Sequence, residues 1–425
     1  MKIGRNMGIL ALVVIATAVA QAGVEGEIFG PGSSQFPIAV APLSGSSGEG
    51  GRFAKVLSRD LGLSGYFRVV DPARFPDDPG TTAADIDFAG WSSTGAQALV
   101  KGTVVTSGNG VTVETHLFDL ATKQEVAQVG RRYVGGRGEV GRMANRTADA
   151  ILEFLTGERG PFDSKIAFVS NRAGRLKDVY VYGFDRDEPE RVTTDQSIVM
   201  APRWRPDVTG LVYASYREHL PRLFSLDLAS RRSDRLTSAG QFLSGAWSPD
   251  GSRLLAVRDL DGNAEIVLLD RNGTVVRQLT DHWAIDVSPA WAPDGRRFAF
   301  CSSRGGSPQI YVMDIDGSPP KRVSFRGNYN TSPAWSPKGD GIAYATRVGG
   351  GFQIVVTDAT GGDAVTLPGG GEDPTWSPDG RYVAYVGRHH LMMADRGGKT
   401  AKELTGGSAS DSAPAWSLRL EQGGR

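Results

Sequence analysis

The stretch Gly245-Ala246-Trp247-Ser248-Pro249-Asp250-Gly251 is one of six similar copies along this chain. The others read APRWRPD around Trp204, PAWAPDG around Trp291, PAWSPKG around Trp335, PTWSPDG around Trp376 and PAWSLR around Trp416. The successive tryptophans are 43, 44, 44, 41 and 40 residues apart. A period in the low forties is the length of one four-stranded propeller blade. Each copy has one grammar. A short strand ends at the tryptophan and a turn follows, as in Ser248-Pro249-Asp250-Gly251, with serine first, proline second and glycine fourth. This suits a type I β-turn, because proline presets φ and the serine side chain bonds the backbone.

Working outward, second strands are expected at Leu254–Val257, Phe298–Cys301, Ile342–Ala345 and Val383–Val386. Third strands follow at Leu223–Leu226, Ile266–Leu269, Ile310–Met313 and Ile354–Thr357, and short fourth strands at Arg235–Thr237, Arg277–Thr280 and Arg322–Ser324. The array's ends are unequal. Lys165–Ser170 is a second strand with no tryptophan turn before it, and Pro414–Ser417 is a first strand with nothing after it. Joined, they complete a sixth blade, so Ala413–Ser417 is expected to pair with Lys165–Ser170. Closure removes the strand edge that an open array would present to other chains. The tryptophans themselves are expected to pack between blades. Cys301, within Phe298-Ala299-Phe300-Cys301, is expected to be an inert buried thiol.

The region before the repeat has another pattern. Pro37–Pro42 and Tyr66–Val70 suggest strands, and Phe53, Val56, Leu57 and Leu61 give an apolar helix face over Phe53–Leu61. Ala98–Thr106 and Val111–Leu120 flank Ser107-Gly108-Asn109-Gly110, a hairpin signal, and Glu125–Val134 is expected to continue the sheet. Val140, Met143, Ala144, Thr147, Ile151 and Leu155 line a long helix that Gly160-Pro161 ends. The fold class expected is therefore mixed: a small N-terminal α/β domain followed by a six-bladed all-β propeller closed between its C-terminal strand and its first strand.

Lys2 and Arg5 precede an uncharged run from Met7 to Ala20. That run is too short for a bilayer, which needs roughly 20 residues, but suits a secretory signal. Cleavage is expected after Ala22 or Ala20. The division expected is a signal peptide over 1–22, a flexible mature N-terminus over 23–36 that binds a partner, an α/β domain over 37–160 and the propeller over 161–425. The mature chain is thus expected to be exported and soluble.

Composition narrows the function classes. Lysine plus arginine equals aspartate plus glutamate, at 47 each, so there is no global basic field for nucleic acid. No G-x-S-x-G elbow, H-E-x-x-H or Walker A motif occurs. His116, His219, His282, His389 and His390 share no ligand spacing, and one cysteine makes no zinc site. Asp259–Gly262 and Asp314–Gly317 lack the further ligands of a calcium loop and are expected to be turns. No enzyme, metal or cofactor is expected. An enzymatic or sugar-binding site assembled from several blades in the central opening is the alternative reading.

The exported start, the small α/β domain and the six tryptophan repeats ending in Pro414-Ala415-Trp416-Ser417-Leu418 together resemble the TolB family of the Tol–Pal cell-envelope system. Pro37–Leu43 resembles that family's first strand. Asp85–Val105, with Trp91 and Ala98-Leu99-Val100-Lys101-Gly102, resembles its middle section. The resemblance implies a periplasmic adaptor that maintains the outer membrane and its constriction during division. It implies that Pal, a peptidoglycan-associated lipoprotein of the outer membrane, sits over the central opening. Pal would contact the loops leading into the tryptophan strands: Gln241, Phe242 and Ser244; Asp286 and Val287; Asn328, Tyr329 and Thr331; Glu372 and Asp373; and Asp411. Tyr329 and Phe242 are the aromatic anchors expected there, aromatics being common hot spots. The resemblance also implies that the mature start binds TolA of the inner membrane. Glu27, Ile28 and Phe29 would carry that contact by adding a strand to the partner's sheet.

Overall fold

The repeated turn closes on its own serine. Ser248 Oγ accepts the Arg253 amide at 3.0 Å, and the Gly251 N–H donates to the Ser248 carbonyl at 2.9 Å. Gly251 stands at φ 68°, a conformation any side chain would strain. The chain is thereby reversed, and each tryptophan strand pairs antiparallel with the next: Trp247 faces Leu254, Trp291 faces Phe298 and Trp335 faces Ile342.

A computed structural model describes residues 35–46 and 48–420. Among the described residues this pattern yields six four-stranded sheets. Blades 1 to 5 have the innermost strands Val199–Trp204, Gln241–Trp247, Asp286–Trp291, Asn330–Trp335 and Glu372–Trp376. Blade 6 is composite. Its order is Glu190–Arg191, Asp178–Gly183, Lys165–Ser170, then Asp411–Trp416 from the far end of the chain. Trp416 faces Ile166 and Asp411 faces Ser170. The seam is tightened by Ser417 N–H to Lys165 O at 2.8 Å and by Lys165 N–H to Ser417 Oγ at 2.9 Å.

The tryptophans pack between blades. Trp335 shares a core with Cys301 and Ile310 of blade 3, and Trp376 one with Ala343 and Ile354 of blade 4. Their indole N–H groups add a staple. Trp204 donates to Ala415 O at 2.8 Å, Trp291 to Ala246 O at 2.9 Å and Trp376 to Ala334 O at 3.0 Å, each acceptor lying in the preceding blade. Cys301 is buried, and burial pushes its thiol up to about 11.

The N-terminal sheet has the order Phe67–Val69, Phe36–Val40, Ala98–Ser107, Gly110–Asp119, Gln124–Glu125, with Arg131–Gly136 also on the fourth strand. The long strand expected over Glu125–Val134 is two short ones. Val126 and Val129 turn inward to the core, and that interrupts the extended chain. Helix α1 (Glu49–Ser64) is longer than its apolar stripe, because packing outweighs the weak propensity of Gly50, Gly51 and Gly62. A short helix α2 (Phe88–Ser93), capped by Asp87, brings Trp91 onto half-buried Asp78, which also binds Lys101 at 2.8 Å.

Helices α1 and α3 (Val140–Thr156) share one core with blades 5 and 6, where Phe53, Leu57 and Ile151 meet Phe184, Tyr382 and Trp416. Gly141 permits the approach, since a Cβ there would lie 2.3 Å from the Asp185 carbonyl oxygen. Polar contacts frame this core. The Tyr382 hydroxyl donates to Ser64 O at 2.9 Å, Arg381 reaches Thr156, Glu158 O and Arg159 O, and Lys338 pairs with Glu158 at 2.9 Å. Lys338 and Arg381 both belong to tryptophan turns. The α/β domain therefore sits at the turn end of the propeller, and the opposite end carries the loops leading into the tryptophan strands.

Candidate protein-binding face

The approach end, where those loops enter, has a repeating internal geometry. Five residues before five of the tryptophans lie Val199, Phe242, Asp286, Asn330 and Asp411, none more than 2% exposed. This corrects three expectations. Phe242 packs with Val212, Leu223 and Leu254 and presents no surface to a partner. Asp286 is held by Arg304 at 2.6 Å. Asp411 accepts from Arg172 at 2.8 Å and from Thr405 at 2.6 Å. Both carboxylates anchor an innermost strand to the arginine that follows its neighbouring strand; removing either leaves a desolvated guanidinium unpaired. The error has one cause: this register position is interior in every blade that has it, whatever residue fills it.

Two residues further on, Ala201, Ser288, Ser332, Asp373 and Ala413 adopt positive φ between 48° and 56°, each before a proline. Each such residue lies at a break in the strand register, as a β-bulge requires. Blade 2, with Gly245 in place of that proline, keeps Ser244 out of this conformation. The bulges bring side chains of different blades together at the opening. Asp373 accepts from the Ser332 hydroxyl at 2.8 Å and from the Ala413 amide at 3.2 Å, linking blades 4, 5 and 6.

A cavity of about 370 Å³ opens beside this link. Glu372, Asp373 and Asp411 line it with Arg388, His389 and Gly369-Gly370-Gly371. Partial burial, and then the Asp373 carboxylate beside it, raise the pKa of the Glu372 carboxyl. Asn328 and Glu372 are exposed, while Gln241, Ser244, Val287, Tyr329, Thr331 and Asp373 are half-buried. Tyr329 is steadied by an edge contact with Phe352, ring centroids 6.0 Å apart, and by Arg347 over its face at 5.9 Å. Glu27, Ile28 and Phe29, like the expected signal peptide, lie outside the described residues.

The most exposed aromatic of this end was missed by the sequence reasoning. Trp283, in the loop leading into blade 3, is 77% exposed, and Ile285 two residues on is 50% exposed. Ile198, just ahead of blade 1, and Leu220 and Val348, at strand ends on the same side, are also open to solvent. One signal was available: Trp283 and Trp91 are the tryptophans that fall outside the repeat. Among the described residues no three His, Cys, Asp or Glu side chains gather as a metal cage. Asp259 accepts the Gly262 amide at 2.8 Å and Asp316 the Ser318 amide at 3.0 Å, so both aspartate loops are closed by their own carboxylates. The face is thus a ring of loops and strand ends that offers isolated apolar side chains around a polar, carboxylate-bearing mouth. Such a surface suits a protein partner.

Comparison with known proteins agrees with this architecture. A family model described as the TolB beta propeller domain matches residues 152–420, and one described as the TolB amino-terminal domain matches residues 24–126. The Tol-Pal system protein TolB of Desulfosudis oleivorans is 36% identical over 290 residues, covering 66% of this chain and 65% of that protein. Its counterpart in Anaeromyxobacter dehalogenans is 36% identical over 289 residues, 66% of each chain. The matched stretch thus spans just under two-thirds of the length of these relatives. The crystal structure of TolB from Acinetobacter baumannii superposes with a TM-score of 0.79 at 26% identity, covering 92% of this chain and 99% of that one.

Proposed function

The chain belongs to the TolB family, whose named members are Tol-Pal system proteins, and on that premise we propose that it is a periplasmic, non-enzymatic adaptor of the cell envelope. The approach end of the propeller docks a Pal-like outer-membrane lipoprotein. The segment containing Glu27, Ile28 and Phe29 recruits a TolA-like inner-membrane protein. Together the two contacts maintain the outer membrane and its constriction at division.

The observation that carries this reading is the exposed side chain of Trp283 at the end of the propeller that also carries half-buried Tyr329 and the open carboxylate of Glu372. A tryptophan left in water stores binding energy. Burying about 150 Å² of it contributes roughly 4 kcal/mol at about 25 cal/mol per Å². The ring of blades pre-orders the loops, so little conformational entropy is lost on docking.

The test is calorimetric titration with the soluble domain of a peptidoglycan-associated lipoprotein. Trp283→Ala and Tyr329→Ala should each weaken binding by about tenfold or more. Deleting residues 23–34 should abolish capture of a TolA domain and leave lipoprotein binding in place. Undiminished lipoprotein binding by both alanine variants would remove the approach end from the contact.

A further inference from the structure

The opposite end of the axial channel holds a second feature that the adaptor reading does not use. The six repeat tryptophans, the residues before them and the turn prolines line a funnel of about 360 Å³. That is within the range of small-molecule sites, roughly 300–1,000 Å³. No residue of the α/β domain lines it; the walls come from all six blades and Leu418. Its two charged lining residues are both cationic, Arg203 and Arg205, and no carboxylate lines it among the described residues.

The two arginines differ. Arg205 is satisfied by Asp207 at 2.8 Å. Arg203 breaks the repeat: the residue before the tryptophan is Ala246, Ala290, Ala334, Thr375 or Ala415 in the other blades. Its guanidinium stands inside the ring, donates one hydrogen bond to the Pro202 carbonyl at 2.9 Å, and has no ion pair among the described residues. Enclosure lowers its pKa, and Asp373 opposes that from beyond ion-pair distance.

A second donor beside it is also unmatched. Trp247 lines the same funnel, and its buried indole N–H has no acceptor, whereas Trp204, Trp291 and Trp376 each donate to the preceding blade. By register, the carbonyl it would use is that of Arg203. The funnel wall thus includes both a cation without a counter-ion and a tryptophan whose buried N–H has no acceptor. Each is costly to leave unpaired.

We propose that the tryptophan–proline funnel at the turn end is a binding site for a carboxylate borne on a slim apolar body, with Arg203 and Trp247 as its donors and the indole and proline walls enclosing the body. A guanidinium pairs with both carboxylate oxygens at once, which favours this head group over a neutral acceptor. The carboxylate could belong to a free small acid or to the end of a peptide, and the probes separate these sources.

The experiment is calorimetric titration of the full chain with 4-phenylbutyrate and with the peptide Ala-Pro-Phe ending in a free carboxylate, each against its amide. At least one acid should bind with a Kd of about 1 mM or tighter, about tenfold tighter than its amide, and the tighter acid names the source. Arg203→Ala installs the residue of four sister blades and should weaken that binding about tenfold with the thermal midpoint kept. Trp247→Phe should weaken it about threefold. Equal affinity of acid and amide, an Arg203→Ala variant that binds as well as the parent, or no binding of either acid at about 5 mM would each overturn the site. None of these results bears on lipoprotein binding at the other end.

Discussion

The two ends of the propeller are built from the same six inner strands, yet they answer to different constraints. At the turn end, almost every residue of the repeat is committed to closing a turn, filling an inter-blade core or holding the α/β domain. At the approach end, one register position is buried for folding, and the loop before it varies freely from blade to blade. Repetition therefore marks what the ring needs in order to close. Departures from it mark what the ring leaves free: Trp283 at one end, and Arg203 with its neighbour Trp247 at the other.

The largest effect should come from the seam. Deleting residues 411–425 removes the innermost strand of blade 6 and exposes the edge of Lys165–Ser170. Loss of the native near-ultraviolet dichroism and aggregation on gel filtration are expected. A monodisperse native product would break the contrast at its root. Next is Trp416→Ala, which empties an inter-blade and inter-domain core and deletes a bond to Ser164 at 2.7 Å. Urea unfolding should show a loss of about 3–5 kcal/mol.

Within the approach end the contrast sharpens between two carboxylates. Asp411→Ala strands Arg172 in the interior and should cost about 3 kcal/mol. Glu372→Ala, at an exposed site, should stay within about 0.5 kcal/mol. Both are read from the same denaturation curves.

The domain contact at the turn end contains a titrating pair. Asp60 of α1 is buried, with neither carboxylate oxygen hydrogen-bonded and Arg59 at 3.5 Å, and burial raises its pKa well above 3.8. Asp149 of α3 is also buried. Burial pushes it up to about 7 against two backbone N–H donors, Phe162 and Asp163. The folded state therefore holds these protons where the unfolded chain has released them. Stability contributed by the protonated forms is full below about pH 4 and is lost as pH rises through the folded values. The thermal midpoint should fall between about pH 5 and 8, and Asp60→Asn should flatten part of that slope. An unchanged slope would remove Asp60 from the linkage. The smallest stability effect belongs to Trp283→Ala, within about 0.5 kcal/mol, because the side chain is already in water.

The blade count, the composite sixth blade and the reverse turns were all legible in the chain, because a repeat states the same local rule six times. The long helix and the Ser107–Gly110 hairpin were legible for the same local reason. The single strand expected over Glu125–Val134 was not, since only the core's position shows why Val126 and Val129 bend inward. At the site, Tyr329 and Glu372 stand where the loop reading put them, near the surface. Phe242, Asp286 and Asp411 do not, because periodicity locates a residue along a strand but does not say how deep that register lies.

What the amino-acid order determined alone was a closed ring: equal modules with complementary ends must join, or leave strand edges unpaired. What only the tertiary structure decided was which side chains face water and which donors go unmatched. Those depend on contacts between blades far apart in the chain. A carboxylate such as Asp411 and its guanidinium partner Arg172 meet only after closure, and a tryptophan such as Trp283 is known to be free only once every neighbour has found its place.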